Sequence, residues 1–451
     1  MQEGGLERPQ RRPLAWREAA FFDEAALDAE LRRVFDICHG CRRCFNLCDS
    51  FPRLFDLIDA SPTGEMDGVD SAGFAGVVAA CTLCDMCYMT KCPYVPPHPF
   101  DIDFPHLMIR ARAAAAKRGE VPFAVRQLTA IDRNGRLAVL AAPLVNWLSS
   151  PRRHLLRRGL EAVAKVHRAA ALPRFGASTF VRRARKHPPA VAADAPARGR
   201  KAVLYATCFV NYNNPGIGEA AQAVLARNGV QTRVVHPGCC GMPQLEQGDI
   251  ADVARRARHT AAVLKPWIDD GHTVVALTPS CALMLRSEWP LLLPDDADVA
   301  ALAAATRDIS EYIVDIANKE GLAPGLQPLD GGAWVHLACH ARAQNIGPKA
   351  VEMLRLVPGF TVGAIERCSG HGGSWGVMAE NFEVGLRVGK PVARQVVEQP
   401  RAFVASECPL AAEHIVQGAQ MLDAAHAPSR AWHPVEILAR AYGFTNGEAT
   451  R

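Results

Sequence analysis

The 451-residue chain has no apolar run long enough to cross a bilayer. The longest, Leu137 to Leu148, falls short of the ~20 residues required. The first twenty residues, MQEGGLERPQRRPLAWREAA, carry charge and proline but no apolar h-region. This argues against a secretory signal and for a cytoplasmic protein. P-loop, G-x-S-x-G and H-E-x-x-H patterns are missing, so hydrolytic and nucleotide-driven chemistry lose support. No FAD or NAD motif is recognised. The phrase Gly216-Ile217-Gly218-Glu219-Ala220-Ala221 fits a loose dinucleotide pattern, but eight residues separate it from the preceding strand-like segment. The fingerprint requires a direct strand-to-helix turn, so the phrase reads as an ordinary helix entry.

Strong net charge is lacking as well. A net +5 signals neither disorder nor a nucleic-acid partner. Residues 101–200, however, hold 20 Lys or Arg against 6 Asp or Glu, a segment charge of +14 that leaves −9 for the rest. Within it, SSPRRHLLRRGLEAVAKVHRAA and FVRRARKH can form amphipathic helices at the inner face of the plasma membrane. A solvated face or a partner-docking surface explains them equally well.

What the chain has is cysteine, fifteen in all. In a reducing compartment these are not expected to be disulfides, and an odd number cannot all pair internally. Cys38, Cys41, Cys44 and Cys48 follow C-x2-C-x2-C-x3-C; Cys81, Cys84, Cys87 and Cys92 follow C-x2-C-x2-C-x4-C, with Pro93 next. Three thiolates at two-residue intervals can wrap three irons of a cubane, while the distant fourth ligates the other cluster. This assigns Cys38, Cys41, Cys44 and Cys92 to one 4Fe-4S cluster and Cys81, Cys84, Cys87 and Cys48 to a second. Zinc is the competing reading of C-x2-C pairs, but it gives no reason for a third cysteine at the same interval.

Helical spacing in FDEAALDAELRRVFDI, RLFDLID and AGFAGVVAAC brackets these runs and predicts an α-helical ferredoxin-type unit over 23–104, after a mobile tail at 1–22. A basic helical connector and linker at 105–200, interrupted by Pro143, Pro151 and Pro173, comes next. From Lys201 onward strand-like and helix-like segments alternate, predicting parallel α/β layers. Cys208, Cys239 and Cys281 recur as Cys339, Cys368 and Cys408 at offsets of 131, 129 and 127 residues, the mark of a tandem duplication over 201–325 and 326–445. The first copy carries the pair Cys239-Cys240, which suits an additional cluster or metal site with Cys208 and Cys281. The second is degenerate: Cys339, Cys368 and Cys408 with His371 or His340 can hold one metal, or are buried remnants.

CHGCRRCFNLC, CTLCDMCYMTKCP, VVHPGCCGMPQLEQGD and TPSC together resemble the iron-sulfur proteins with tandem cysteine-rich CCG domains. That family includes iron-sulfur components of the anaerobic glycerol-3-phosphate dehydrogenase, of glycolate oxidase and of heterodisulfide reductase. HLACHARAQNIG and CSGHGGSWGV resemble the heterodisulfide reductase-related proteins found beside rubrerythrin. The resemblance implies an α+β multidomain electron-transfer subunit of an oxidoreductase: a ferredoxin-type domain with two 4Fe-4S clusters, then two CCG domains. It implies as partner a flavoprotein dehydrogenase or a rubrerythrin-type redox protein, and a quinone or another carrier. Two other functions compete with the relay. One is catalytic reduction of a disulfide or peroxide-linked substrate at Cys239 and Cys240; the other is a zinc-stabilised assembly module. Met284 and Ala411 stand where the heterodisulfide reductase component has the last cysteine of C-x-x-C.

Overall fold

A computed structural model describes residues 9–444; residues 1–8 of the expected tail and residue 445 of the expected second repeat lie outside the described residues. The chain is mixed helix and sheet. Helix α1 (Glu24–Cys41) starts on Asp23, whose carboxylate accepts the Ala26 N–H, and buries Leu27, Leu31, Val34 and Phe35 at helical spacing. It delivers Cys38 and Cys41 in its last turn and ends on Arg42 in the left-handed conformation. Helices α2 (Ser50–Asp59), α3 (Phe74–Ala80) and α4 (Phe104–Lys117) complete the N-terminal unit. Its core packs Phe51 against Phe104, ring centroids 4.7 Å apart and planes tilted by 33°, and sets Phe35 edge-on to Phe74 at 5.1 Å.

The segment expected to be a mobile tail is packed from Gln10 onward. The Leu14 N–H donates to Leu291 O at 2.9 Å and Trp16 Nε1 to Leu292 O at 2.8 Å. Arg11 is buried against Asp85, Asp103 and Glu288, at 2.8, 2.9 and 3.1 Å. It ties the N-terminus to both the second cysteine run and the first repeat.

The connector forms short helices α5 (Phe123–Leu128), α6 (Ile131–Leu140), α7 (Ala142–Leu148), α8 (His154–Ala164) and α9 (Phe180–Lys186). The helical pattern breaks at Ala141, between α6 and α7, as expected near Pro143, which sits in the first turn of α7, where its missing N–H costs nothing.

Two parallel sheets follow. Strands β1 (Lys201–Tyr205), β2 (Gln231–Val235), β3 (Thr273–Ala276) and β4 (Thr306–Asp308) are ordered β2-β1-β3-β4. Strands β5 (Ala333–His336), β6 (Val362–Ile365) and β7 (Phe403–Ser406) are ordered β6-β5-β7. In each copy the first strand is central, flanked by the second and third. Helices α10 (Pro215–Arg227), α11 (Met242–Leu245) and α12 (Ile250–Asp269) pack on the first sheet. Gly216 lies inside the first turn of α10, the ordinary helix entry expected of it.

The duplication extends past the strands. Asp308 caps the helix Ile309–Lys319 through a capping box with Glu311, and His433 caps Pro434–Ala441 through one with Glu436. Where the first sheet has β4, the second has a single bridge between Ala405 and Trp432.

Candidate functional site

In both copies a cysteine follows the carboxyl end of each of three adjacent parallel strands: Cys208, Cys239 and Cys281 after β1, β2 and β3, and Cys339, Cys368 and Cys408 after β5, β6 and β7. Open parallel sheets gather ligands at this edge. The Cys240 and Cys281 sulfurs lie 3.3 Å apart. Trp289 Nε1 donates to Cys240 O at 3.1 Å, and the Tyr205 hydroxyl to Gly238 O at 2.6 Å, fixing the loop from beneath. Hydrogen bonds from the Cys208 and Cys240 thiols hold the Cys239 thiol well below its ordinary range, while those two thiols are pushed up.

The loop is completed from the connector. Asp132, on α6, accepts the Cys239 N–H at 2.8 Å, lies 3.0 Å from His236 Nε2 and pairs with Arg256 at 3.2 Å. Burial pushes this carboxyl up, but the His236 and Cys239 hydrogen bonds and the nearby cations outweigh it and bring it to about 2. Gly135 brings α6 against the Tyr212 ring, where a Cβ would collide. Sequence reasoning missed Asp132. Its one signal is that it is among only 6 acidic residues in the basic 101–200 segment.

The N-terminal thiols fall into two sets. Burial pushes Cys38 well up, reinforced by Cys92, Cys44 and Cys41; Cys44 is likewise raised to about 12 by burial, Cys92 and Cys41. Cys48, from the first run, is raised by burial and by Cys84 and Cys81 of the second. Cys87 is raised by burial and by Cys84, Cys81 and Cys48, and least by Cys44 of the other set. Thus Cys92 lies with the first run and Cys48 with the second. Backbone N–H groups point at the sulfurs: Ser50 and Phe51 at Cys48, Leu83 at Cys81, Met86 at Cys84 and Tyr94 at Cys92. Leu83 and Asp85, between the cysteines of the second run, have φ of 49° and 62°, a left-handed backbone that non-glycine residues seldom adopt.

Soft thiols, buried or half-buried and approached by backbone N–H donors, match the donor chemistry of an iron-sulfur cluster. Thiols such as Cys38, Cys44, Cys48 and Cys87, which burial and neighbouring thiolates push up, need a compensating cation before they ionise.

The second repeat reaches this set. Cys84 is raised to about 12 by burial and by neighbouring Cys368, and Cys339 is raised by burial, Cys84, Cys368 and Cys408. His340 is spoken for, 2.8 Å from Ser280 Oγ and 3.1 Å from Leu83 O, pinning both repeats to the second cysteine run. His371 faces His414, ring centroids 6.0 Å apart, its Nε2 buried without a partner among the described residues. Among those residues no group of three or more His, Cys, Asp or Glu is drawn up around a single metal ion.

Beside Cys368, Gly370 has φ +76°, and a Cβ there would strike the Gly385 carbonyl. Gly370→Ala is expected to destabilise the fold by on the order of 3 kcal/mol, from left-handed strain and overpacking together. A thermal midpoint no lower than that of the unchanged protein would contradict this.

Comparison with known proteins bears on the same strands. Residues 202–286 match the CCG family, a cysteine-rich domain. The first repeat is a CCG domain. The chain is related to iron-sulfur CCG proteins. It is 26% identical to a component of the anaerobic glycerol-3-phosphate dehydrogenase of Escherichia coli (strain K12) over 319 residues, 70% of this chain and 76% of that one. It is 29% identical to lactate utilization protein A of Bacillus velezensis over 186 residues, 39% of this chain and 75% of that one. With the Bacillus pumilus protein of the same name it shares 27% over 208 residues, 44% of this chain and 80% of that one. The match places Cys208, Cys239, Cys240 and Cys281 inside the CCG domain; Asp132 lies outside it.

Proposed function

We propose that this chain is the iron-sulfur electron-transfer subunit of an oxidoreductase, relaying electrons through two 4Fe-4S clusters to or from a redox site in the CCG half. Cys38, Cys41, Cys44 and Cys92 would hold one cluster and Cys81, Cys84, Cys87 and Cys48 the other. The clusters supply one-electron transfer when bound. The chain's own residues bury or half-bury the thiols and aim N–H donors at them, which tunes the potential. The observation that carries this reading is the direct contact of the second repeat with the second cysteine run, His340 Nε2 lying 3.1 Å from the carbonyl of Leu83, between Cys81 and Cys84. The name of one relative, part of a dehydrogenase, supports a dehydrogenase as partner. Anaerobically purified protein, once reduced, is expected to give paired 4Fe-4S EPR signals with about eight irons in the N-terminal unit. Zinc without iron or sulfide would sink the proposal.

A second reading, catalysis at Cys239 and Cys240, is favoured by a cavity that reaches Cys239. In that case Cys240→Ala abolishes turnover and spares the N-terminal EPR signals. Unchanged turnover would reject it.

No helix among the described residues is long and apolar enough to cross a membrane. The connector nevertheless exposes Phe123, Leu140, Trp147, Leu155 and Val163 amid arginines. That pairing of apolar and basic side chains supports a peripheral seat on an anionic bilayer. Flotation with phosphatidylglycerol vesicles at low salt should carry the protein upward, and phosphatidylcholine vesicles should not. Equal failure on both would refute it.

A further inference from the structure

A cavity of about 320 Å³ opens between α6 and α12 onto the Pro237–Cys239 loop. Its walls carry Arg133, Arg136, Arg255, Arg256 and His259. The single carboxylate lining it, Asp132, is committed to the Cys239 N–H, His236 and Arg256. Arg255 and Arg256 also pair with Asp252. Among the described residues Arg133 and Arg136 have no carboxylate partner: Arg133 donates to Asn134 Oδ1 and Gln127 O, and Arg136 to the Asp132 carbonyl. Positive charge therefore remains in excess around a small cavity, and charge-assisted hydrogen bonds from such guanidiniums are the strongest means of fixing an oxyanion. The volume lies at the lower end of the range for metabolite pockets.

We propose that this cavity binds a small organic oxyanion, a phosphate ester or a carboxylate, and holds it against the Cys239 loop. Arg133 and Arg136 grip the charged group and His259 lines the opposite wall. This goes beyond the electron relay and stands on the cavity alone, so it can fail while the relay holds.

Calorimetric titration of the full chain, purified anaerobically, with inorganic phosphate and separately with oxalate tests it, ionic strength being held fixed with chloride. Saturable binding at one site per chain is expected for at least one probe. Tighter binding of phosphate assigns the pocket to phosphate esters, and tighter binding of oxalate to carboxylates. Arg133→Gln with Arg136→Gln should weaken that binding at least tenfold, whereas Arg258→Gln, on the same helix α12 but paired with Asp296 outside the cavity, should leave it unchanged. Should the double variant lose iron, His259→Gln, at an exposed position, carries the same test by an at least threefold loss. No saturable binding of either probe would overturn the proposal, as would equal weakening by Arg258→Gln or a failure of the cavity variants to weaken it.

Discussion

Cys38→Ala combined with Cys92→Ala is expected to abolish one of the two N-terminal EPR signals, whereas Cys38→Ala combined with Cys48→Ala abolishes both. The proposed ligand sets cross between the runs, so the first pair of substitutions strikes one cluster twice and the second pair strikes each cluster once. If each run served its own cluster, the pattern would invert: Cys38 and Cys48 would fall together, and Cys38 and Cys92 would take out both. Iron per chain, measured alongside the spectra, should drop by about half of the N-terminal complement in the first case and nearly all of it in the second. The thiol neighbourhoods support the crossed arrangement, because Cys48 sits beside Cys81 and Cys84, and Cys92 beside Cys38 and Cys44.

Arg11→Ala is expected to cost about 3–5 kcal/mol at neutral pH, the penalty for leaving buried carboxylates without their cation. Asp85, Asp103 and Glu288 all converge on this guanidinium, and the His106 ring, 3.2 Å from Glu288 and 3.3 Å from Asp103, completes the group. Burial alone would raise Asp103 and Glu288; His106 and Arg11 more than offset it, so both titrate below their ordinary values. A carboxyl depressed in the folded state contributes stability that is fully present above its unfolded value and is lost as pH falls through the folded one. The unchanged protein should therefore weaken as pH drops below the unfolded carboxylate range of roughly 4. In Arg11→Ala these carboxyls take up protons at higher pH, so the gap between the two proteins should narrow on acidification. Anaerobic guanidinium unfolding at several pH values reads both effects. A gap that is negligible at neutral pH, or that widens in acid, would contradict this account.

The parts legible in the sequence are those whose cause is local. Strands β1, β3, β5 and β7 are buried almost throughout, and such strands appear as short apolar runs. The repeat showed in cysteine offsets because each cysteine is tied to a strand end, and strand ends keep their spacing within a duplicated sheet. Strand β4, only three residues and with Arg307 at its centre, left no pattern to find. The partners of Arg11, Asp132 and His340 were illegible for a different reason. Each acts on residues far along the chain, Arg11 on Glu288, Asp132 on Cys239 and His340 on Leu83, and no periodicity encodes such meetings. The surrounding basic composition even disguised Asp132 as one more residue of a solvated connector.

The dependence of the Cys239 loop on that aspartate has a consequence for how the repeat can be handled. A fragment cut at residues 202–286 would part the Cys239 amide and His236 from their acceptor. The repeat is therefore not a transplantable cassette. Grafting it onto another scaffold requires carrying the Ile131–Leu140 helix along, as a brace supplied from outside the module it completes.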